Sequence, residues 1–200
     1  MFPLGTVLVP GAVLPLHLFE PRYRVLARDC TSGRPEFGVV LIERGSEVGG
    51  GDVRRDVGCV ARIAEAEELA DGRWTMVVVG TDRVRVRAWL DDAPYPRAEV
   101  EPWPDPVAGP AVAELRAGLA AATRRVLAGR AELGDAVAPA TFELAEDPVA
   151  ALWQLVDAVP VTSADRHRLL AVPSPDERVA LLALLLADEE QVVARRMAQG

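Results

Sequence analysis

His17 and His167 are the histidines of this chain and its candidates for general-base chemistry of the usual kind. A base of that sort needs a nucleophile to activate. The serines are Ser32, Ser46, Ser163 and Ser174, and none stands in a G-x-S-x-G setting. Ser174 already reads as a helix cap. A hydrolase built on this chain would have to use His17 with a nearby carboxylate such as Glu20. The competing reading gives His17, on an apolar strand, a hydrogen-bonded packing role and makes His167 a solvated helix residue. All 22 basic residues are arginine. Without lysine there is no P-loop lysine for a nucleotide phosphate, no Ser-Lys dyad and no Schiff base. No catalytic residue is therefore assigned.

Metal and cofactor chemistry fare no better. Cys30 and Cys59 stand far apart outside any C-x-x-C, so a metal site would have to recruit both histidines from distant segments. Buried, inert thiols are the expectation. Gly45, Gly49, Gly50 and Gly51 fit neither G-x-G-x-x-G nor the P-loop and read as a loop between strands. No cofactor, metal or nucleotide is expected.

Binding chemistry has more to work with. Arg83, Arg85 and Arg87 alternate with Val84, Val86 and Ala88, which on a strand puts three guanidiniums on one face. That face could take an anion or an acidic peptide, because the arginine fork matches a carboxylate. It could equally be a wet sheet face paired across strands with Glu65 and Glu67. Aromatic residues make up 5% of the chain, so any exposed one is a candidate anchor. Phe19, Arg22 and Tyr23 fall within one turn of each other, and Tyr95 sits in Pro94-Tyr95-Pro96. Phe19 is expected to point into the core, while Arg22 and Tyr23 face a groove beside the Pro94–Pro96 linker. The alternative makes Tyr23 a core residue. Trp74, Trp89 and Trp103 read as packing rather than as a recognition cage.

The elements that must carry these residues follow from turn and period signals. Pro10-Gly11 is a turn, and "VLPLHLF" after it is an edge or bulged strand, since Pro15 has no amide hydrogen for a ladder. Pro21 falls at a first helical position, with Tyr23, Leu26, Ala27 and Cys30 at helical spacing. "FGVVLIERG", "VGCVARIAEAEEL" and "RWTMVVVGTDRVRVRAWL" are strand-like, the last two joined at Ala70-Asp71-Gly72. Prolines from Pro94 onward break that pattern and set a boundary between Trp103 and Pro110. Beyond it "PAVAELRAGLAAATRRVLAGR", "DPVAALWQLVDAVP", "TSADRHRLLAVP" and the run opened by Ser174-Pro175-Asp176-Glu177 read as capped helices. The expected organisation is a β-rich part over residues 1–104 and a helical part over 105–200.

Two hundred residues allow a substantial core without disulfides, with roughly 70% of the unfolded surface buried. No apolar run approaches the roughly 20 residues of a spanning helix, and no secretory signal opens the chain. A soluble, cytoplasmic protein without membrane contact is expected. A net charge of −8 opposes nucleic acid as a partner.

Taken together, "FPLGTVLVPGAVLPLHLFEPRYR", "FGVVLIERG", "VGCVARI", "DGRWTMVVVGTDRVRV" and "SPDERVALLALLL" resemble the Lon protease substrate-binding domain family. The most specific element is "PGAVLPLHLFEPRYR". The resemblance implies an α+β fold, with a PUA-like, strongly bent β-structure or pseudo-barrel carrying one early helix, followed by a small α-helical bundle. It also implies a non-enzymatic recognition module for peptides, unfolded segments or a partner protein. Full-length Lon proteases add an ATPase module and a Ser-Lys peptidase, whose lysines have no counterpart in these residues.

Overall fold

A computed structural model describes residues 1–45 and 51–199. The chain is α+β and divides into two units, Met1–Pro104 and Asp105–Gly200. The first unit holds β1 (Phe2–Leu4), β2 (Val13–Leu18), α1 (Pro21–Ser32), β3 (Glu36–Arg44), β4 (Val53–Glu68), β5 (Trp74–Leu90) and β6 (Arg97–Pro102). One mixed sheet runs in the order β1-β3-β4-β5-β2, with β6 pairing the far half of β5. β1 is parallel to β3, and the other pairings are antiparallel.

Long β5 serves two neighbours in succession. Its residues Trp74–Val79 pair with β2, and Val84–Leu90 pair with β6. A register shift at Cys59/Ala61 bends the strands between these two engagements, and further shifts fall within them, at Ile63/Glu65 opposite the β2-paired stretch and at Val86/Ala88 in the β6-paired one. The turns are those the glycines require. Gly11 and Gly72 have φ of 81° and 78°, a region open to glycine at little cost. At Leu69–Arg73 the Leu69 amide donates to the Arg73 carbonyl at 2.8 Å, closing the hairpin.

β1 and β6 escape the sequence patterns. Three residues are too short to show a period, and β6 lies among the prolines read above as a break. Pro102 is tolerated because it ends an edge strand. Of the glycine-rich loop, Ser46–Gly50 lies outside the described residues.

In the second unit α2 (Pro110–Glu132), α3 (Pro148–Ala158), α4 (Ser163–Ala171) and α5 (Pro175–Met197) form the helical part. Asp147, Thr162 and Ser174 each accept a hydrogen bond from the backbone N–H three residues on. These are the caps expected of Asp, Thr and Ser before a helix, worth about 1 kcal/mol each. His167 is buried in α4, a correction to the solvated role its sequence context suggests, because the apolar stripe Leu169–Leu170 turns its side of the helix inward.

Both thiols are buried, and burial pushes Cys59 up to about 12 and raises Cys30. A raised thiol pKa keeps the folded protein protonated where the unfolded chain already ionises. Stability from these groups is therefore present below the ordinary thiol value of 9.0 and is lost as pH rises above it. The native chain at mildly alkaline pH should give no rapid titre with a thiol-specific disulfide reagent, while denatured chain gives both thiols. Prompt native modification of Cys59 would contradict this.

Candidate functional site

The edge strand β2 organises the surface. Its alternation is clean, with Leu16 and Leu18 buried and Val13, Pro15 and His17 exposed. The Gly80 amide donates to the Ala12 carbonyl at 2.9 Å, so residues 12, 14, 16 and 18 form the hydrogen-bonded pairs with β5. The backbone groups of Val13, Pro15 and His17 consequently point away from β5. Pro15 occupies a position where an absent N–H costs no ladder bond.

Three cavities cluster around this strand. One of 160 Å³ is lined by Phe2–Leu4 of β1 and by Leu16–Glu20 and Tyr23. A second, of 260 Å³, lies among His17, Phe19, Leu69, Arg73 and Trp74. The third, of 310 Å³, is open over Pro15, His17, Glu65, Glu67 and Val77. Small-molecule sites run from about 300 to 1,000 Å³, so the first two hollows are nearer the size of side chains and the third stands at the bottom of that range. None of their lining residues is a serine or cysteine that His17 could activate.

Each sequence-nominated residue now has a place. Phe19 is 54% exposed, which corrects the expectation that it points inward. It follows buried Leu18 at the end of β2, and the alternation carries it to the outer side. Tyr23 is instead 4% exposed, its ring edge-on to Phe2 with centroids 4.4 Å apart. Burial raises its hydroxyl to about 12, and it is a core residue rather than a surface anchor. Arg22 lies over the Tyr23 ring at 4.5 Å and is paired with Glu20 at 3.2 Å. Tyr95 donates to Asp29 at 2.7 Å. Asp29 is seven residues beyond Arg22, about 10 Å along α1, so Tyr95 does not flank Arg22 and Tyr23 in one groove.

The arginine row is also split. Arg83 is 3% exposed, a correction to its expected place on a wet face, and its guanidinium stands 4.2 Å from the centre of the Trp103 ring. Arg85 stacks on the same ring at 3.6 Å, and Arg87 pairs with Glu101 of β6. Glu65 and Glu67 face Val77 and Thr75, whereas Arg83 and Arg85 face Cys59 and Val57. The expected cross-strand ion pairs with Glu65 and Glu67 are therefore not formed. The long strands carry the two sets to different stretches of the β4–β5 ladder.

Among the described residues no group of histidine, cysteine, aspartate and glutamate could hold a metal ion, and no helix is long and apolar enough to cross a membrane.

Comparison with known proteins defines the class. Residues 1–188 match the model of the ATP-dependent protease La (LON) substrate-binding domain, and the chain belongs to that family. Among individual proteins it is 26% identical over 193 residues to Lon protease 2 of Herpetosiphon aurantiacus, covering 95% of this chain and 23% of that protein. Lon protease 2 of Sorangium cellulosum is 31% identical over 126 residues, 62% of this chain and 16% of that one. The chain thus spans under a quarter of these relatives. A Lon N-terminal domain protein from Xanthomonas campestris superposes with a TM-score of 0.62 at 29% identity, over 92% of this chain and 95% of that one. The N-terminal domain of a Mycobacterium avium complex Lon protease shares the fold, with a TM-score of 0.63 at 20% identity over 93% and 97% of the two chains.

Proposed function

We propose that this chain is a non-catalytic recognition module, working in the cytoplasm, that binds extended or unfolded segments of other proteins along β2 and the β2–α1 junction. The observation that carries the reading is Phe19, a large aromatic held 54% exposed between two side-chain-sized cavities. An exposed Phe is costly to hydrate, and interface energy concentrates in such anchors. Val13, 62% exposed on the same strand, extends the apolar surface. Membership of a substrate-binding family supports the same reading. Arg85 and Arg87 are weaker candidates, since their guanidiniums already engage Trp103 and Glu101.

The test is binding of fluorescently labelled casein, a chain that is unstructured without denaturant, followed by fluorescence anisotropy. Phe19→Asp should weaken binding about tenfold or more, because an anchor of this kind is worth roughly 2 kcal/mol. Arg87→Ala should leave it nearly unchanged. Equal binding by wild type and Phe19→Asp, with both folded by circular dichroism, would remove this surface from consideration.

A further inference from the structure

Resting on that recognition reading and sharpening it, we propose that the outer edge of β2 takes its partner as an added β-strand, and that the favoured segment is extended, apolar and net basic. The N–H groups of Val13 and His17 and the carbonyls of Val13, Pro15 and His17 all face away from β5, and among the described residues β2 has no second neighbour in the sheet. A row of this kind is the template on which an extended peptide forms main-chain hydrogen bonds, with alternate side chains entering pockets. The hollows beside β2 supply those pockets. The one shared with β1 is walled by Phe2, Leu4, Leu16 and Leu18 and suits an apolar side chain.

Charge selects among extended segments. The register aligns Pro15–Val77–Glu65 and His17–Thr75–Glu67 in rows across β2, β5 and β4. Neither Glu65 nor Glu67 has an ion-pair partner among the described residues. At about 4.8 Å per strand β4 lies about 10 Å from β2 and about 14 Å from an added strand, a gap that a long basic side chain leaning back over β2 narrows to about the 8 Å Debye length of physiological salt. A lysine or arginine set beside His17 leans over β2 toward them. The chain's net charge of −8 repels an acidic segment and likewise a second copy of itself, and Pro15 removes a donor from any self-pairing edge.

The experiment uses a fluorescent peptide of alternating valine and threonine around a central arginine, titrated into the full chain. Backbone N-methylation removes donors from one side of an extended peptide at a time. Methylating the side that pairs with β2 should weaken binding about tenfold, and methylating the other side should not. His17→Pro should weaken binding while His17→Ala retains it, because only the former deletes the outward N–H. Replacing the central arginine by glutamate should weaken binding severalfold, and Glu65→Gln with Glu67→Gln should narrow that difference. If both methylated peptides bind like the parent while casein is still captured, strand addition is wrong and the recognition reading stands. If arginine and glutamate peptides bind equally, the charge preference is wrong. Failure of both the peptide and casein to bind would overturn the recognition reading itself.

Discussion

Arg178→Ala is expected to lower the stability of the helical unit by about 3–5 kcal/mol, the cost of breaking a buried ion pair by removing one partner. Arg178 is fully buried in α5, and every face of its guanidinium is used. Two nitrogens meet the Asp105 carboxylate at 2.8 and 3.1 Å, and Nε donates to the Leu169 carbonyl at 3.0 Å. The plane lies 3.7 Å from the centre of the Trp153 ring, and the Trp153 indole N–H donates to the same carboxylate at 3.2 Å. Burial lowers the Arg178 pKa, but a guanidinium remains charged, so the pair does not escape by neutralising. Alanine leaves a void and an aspartate with much of its compensation gone.

Two further variants separate the charge pair from mere packing. Arg178→Lys keeps the charge without the fork and should recover only part of the loss. A double change, Arg178→Met with Asp105→Leu, should be less damaging than Arg178→Ala, since an apolar replacement of both partners avoids the stranded charge. Urea unfolding followed by far-ultraviolet circular dichroism at the helical band measures all three. A loss below about 1 kcal/mol for Arg178→Ala would mean that solvent reaches this pair and that the network is not what holds α5.

In the β-rich unit a large effect is expected of Gly80→Val. A Cβ at Gly80 would stand 2.2 Å from the Val9 carbonyl oxygen and 2.9 Å from its carbon, and 3.2 Å from the Cys59 sulfur. The two Val9 atoms are backbone and cannot rotate aside. Gly80 also donates to Ala12 and accepts from Gly11 at 2.8 Å, so the place that would be forced apart is the one that sets the register of β2. Overpacking alone costs about 1–3 kcal/mol, and the two backbone bonds add to it. Amide exchange along Leu14–Leu18 should accelerate together with loss of casein binding. Gly118→Ala in α2 is the control, because open space surrounds Gly118 and alanine there should stabilise by about 0.5–1 kcal/mol. Normal exchange at β2 in a folded Gly80→Val variant would show that the clamp is dispensable.

Much of the fold was legible from short-range signals. Pro21 with Tyr23, Leu26, Ala27 and Cys30 defined α1, and those four side chains are its buried set. Ser174 with Glu177 marked α5, and Pro15 marked an edge strand. The candidate site was less legible. Phe19, Arg22 and Tyr23 were nominated as a group, yet only Phe19 lies broadly open, while Tyr95 reaches α1 a good distance from Arg22. Arg178 and Asp105 drew no notice in the sequence, because an Arg in a capped helix and an Asp in a proline-rich link each look like solvated residues.

The division has a physical basis. Caps, turns and strand or helix period depend on residues within a few positions of one another, and the sequence by itself determined these, along with the absence of any lysine chemistry. Which face of β2 is buried, and hence that Phe19 at its end is outside, depends on a register in which a shift of one residue exchanges the faces, while Tyr23 is inside because α1 sets its ring against Phe2 of β1. The separation of Glu65 and Glu67 from the arginines of β5, and the meeting of Arg178 with Asp105 across 73 positions, rest on pairings between distant segments. Only the tertiary structure could decide them, because burial turns such groups from independent solvated charges into partners whose energies depend on one another.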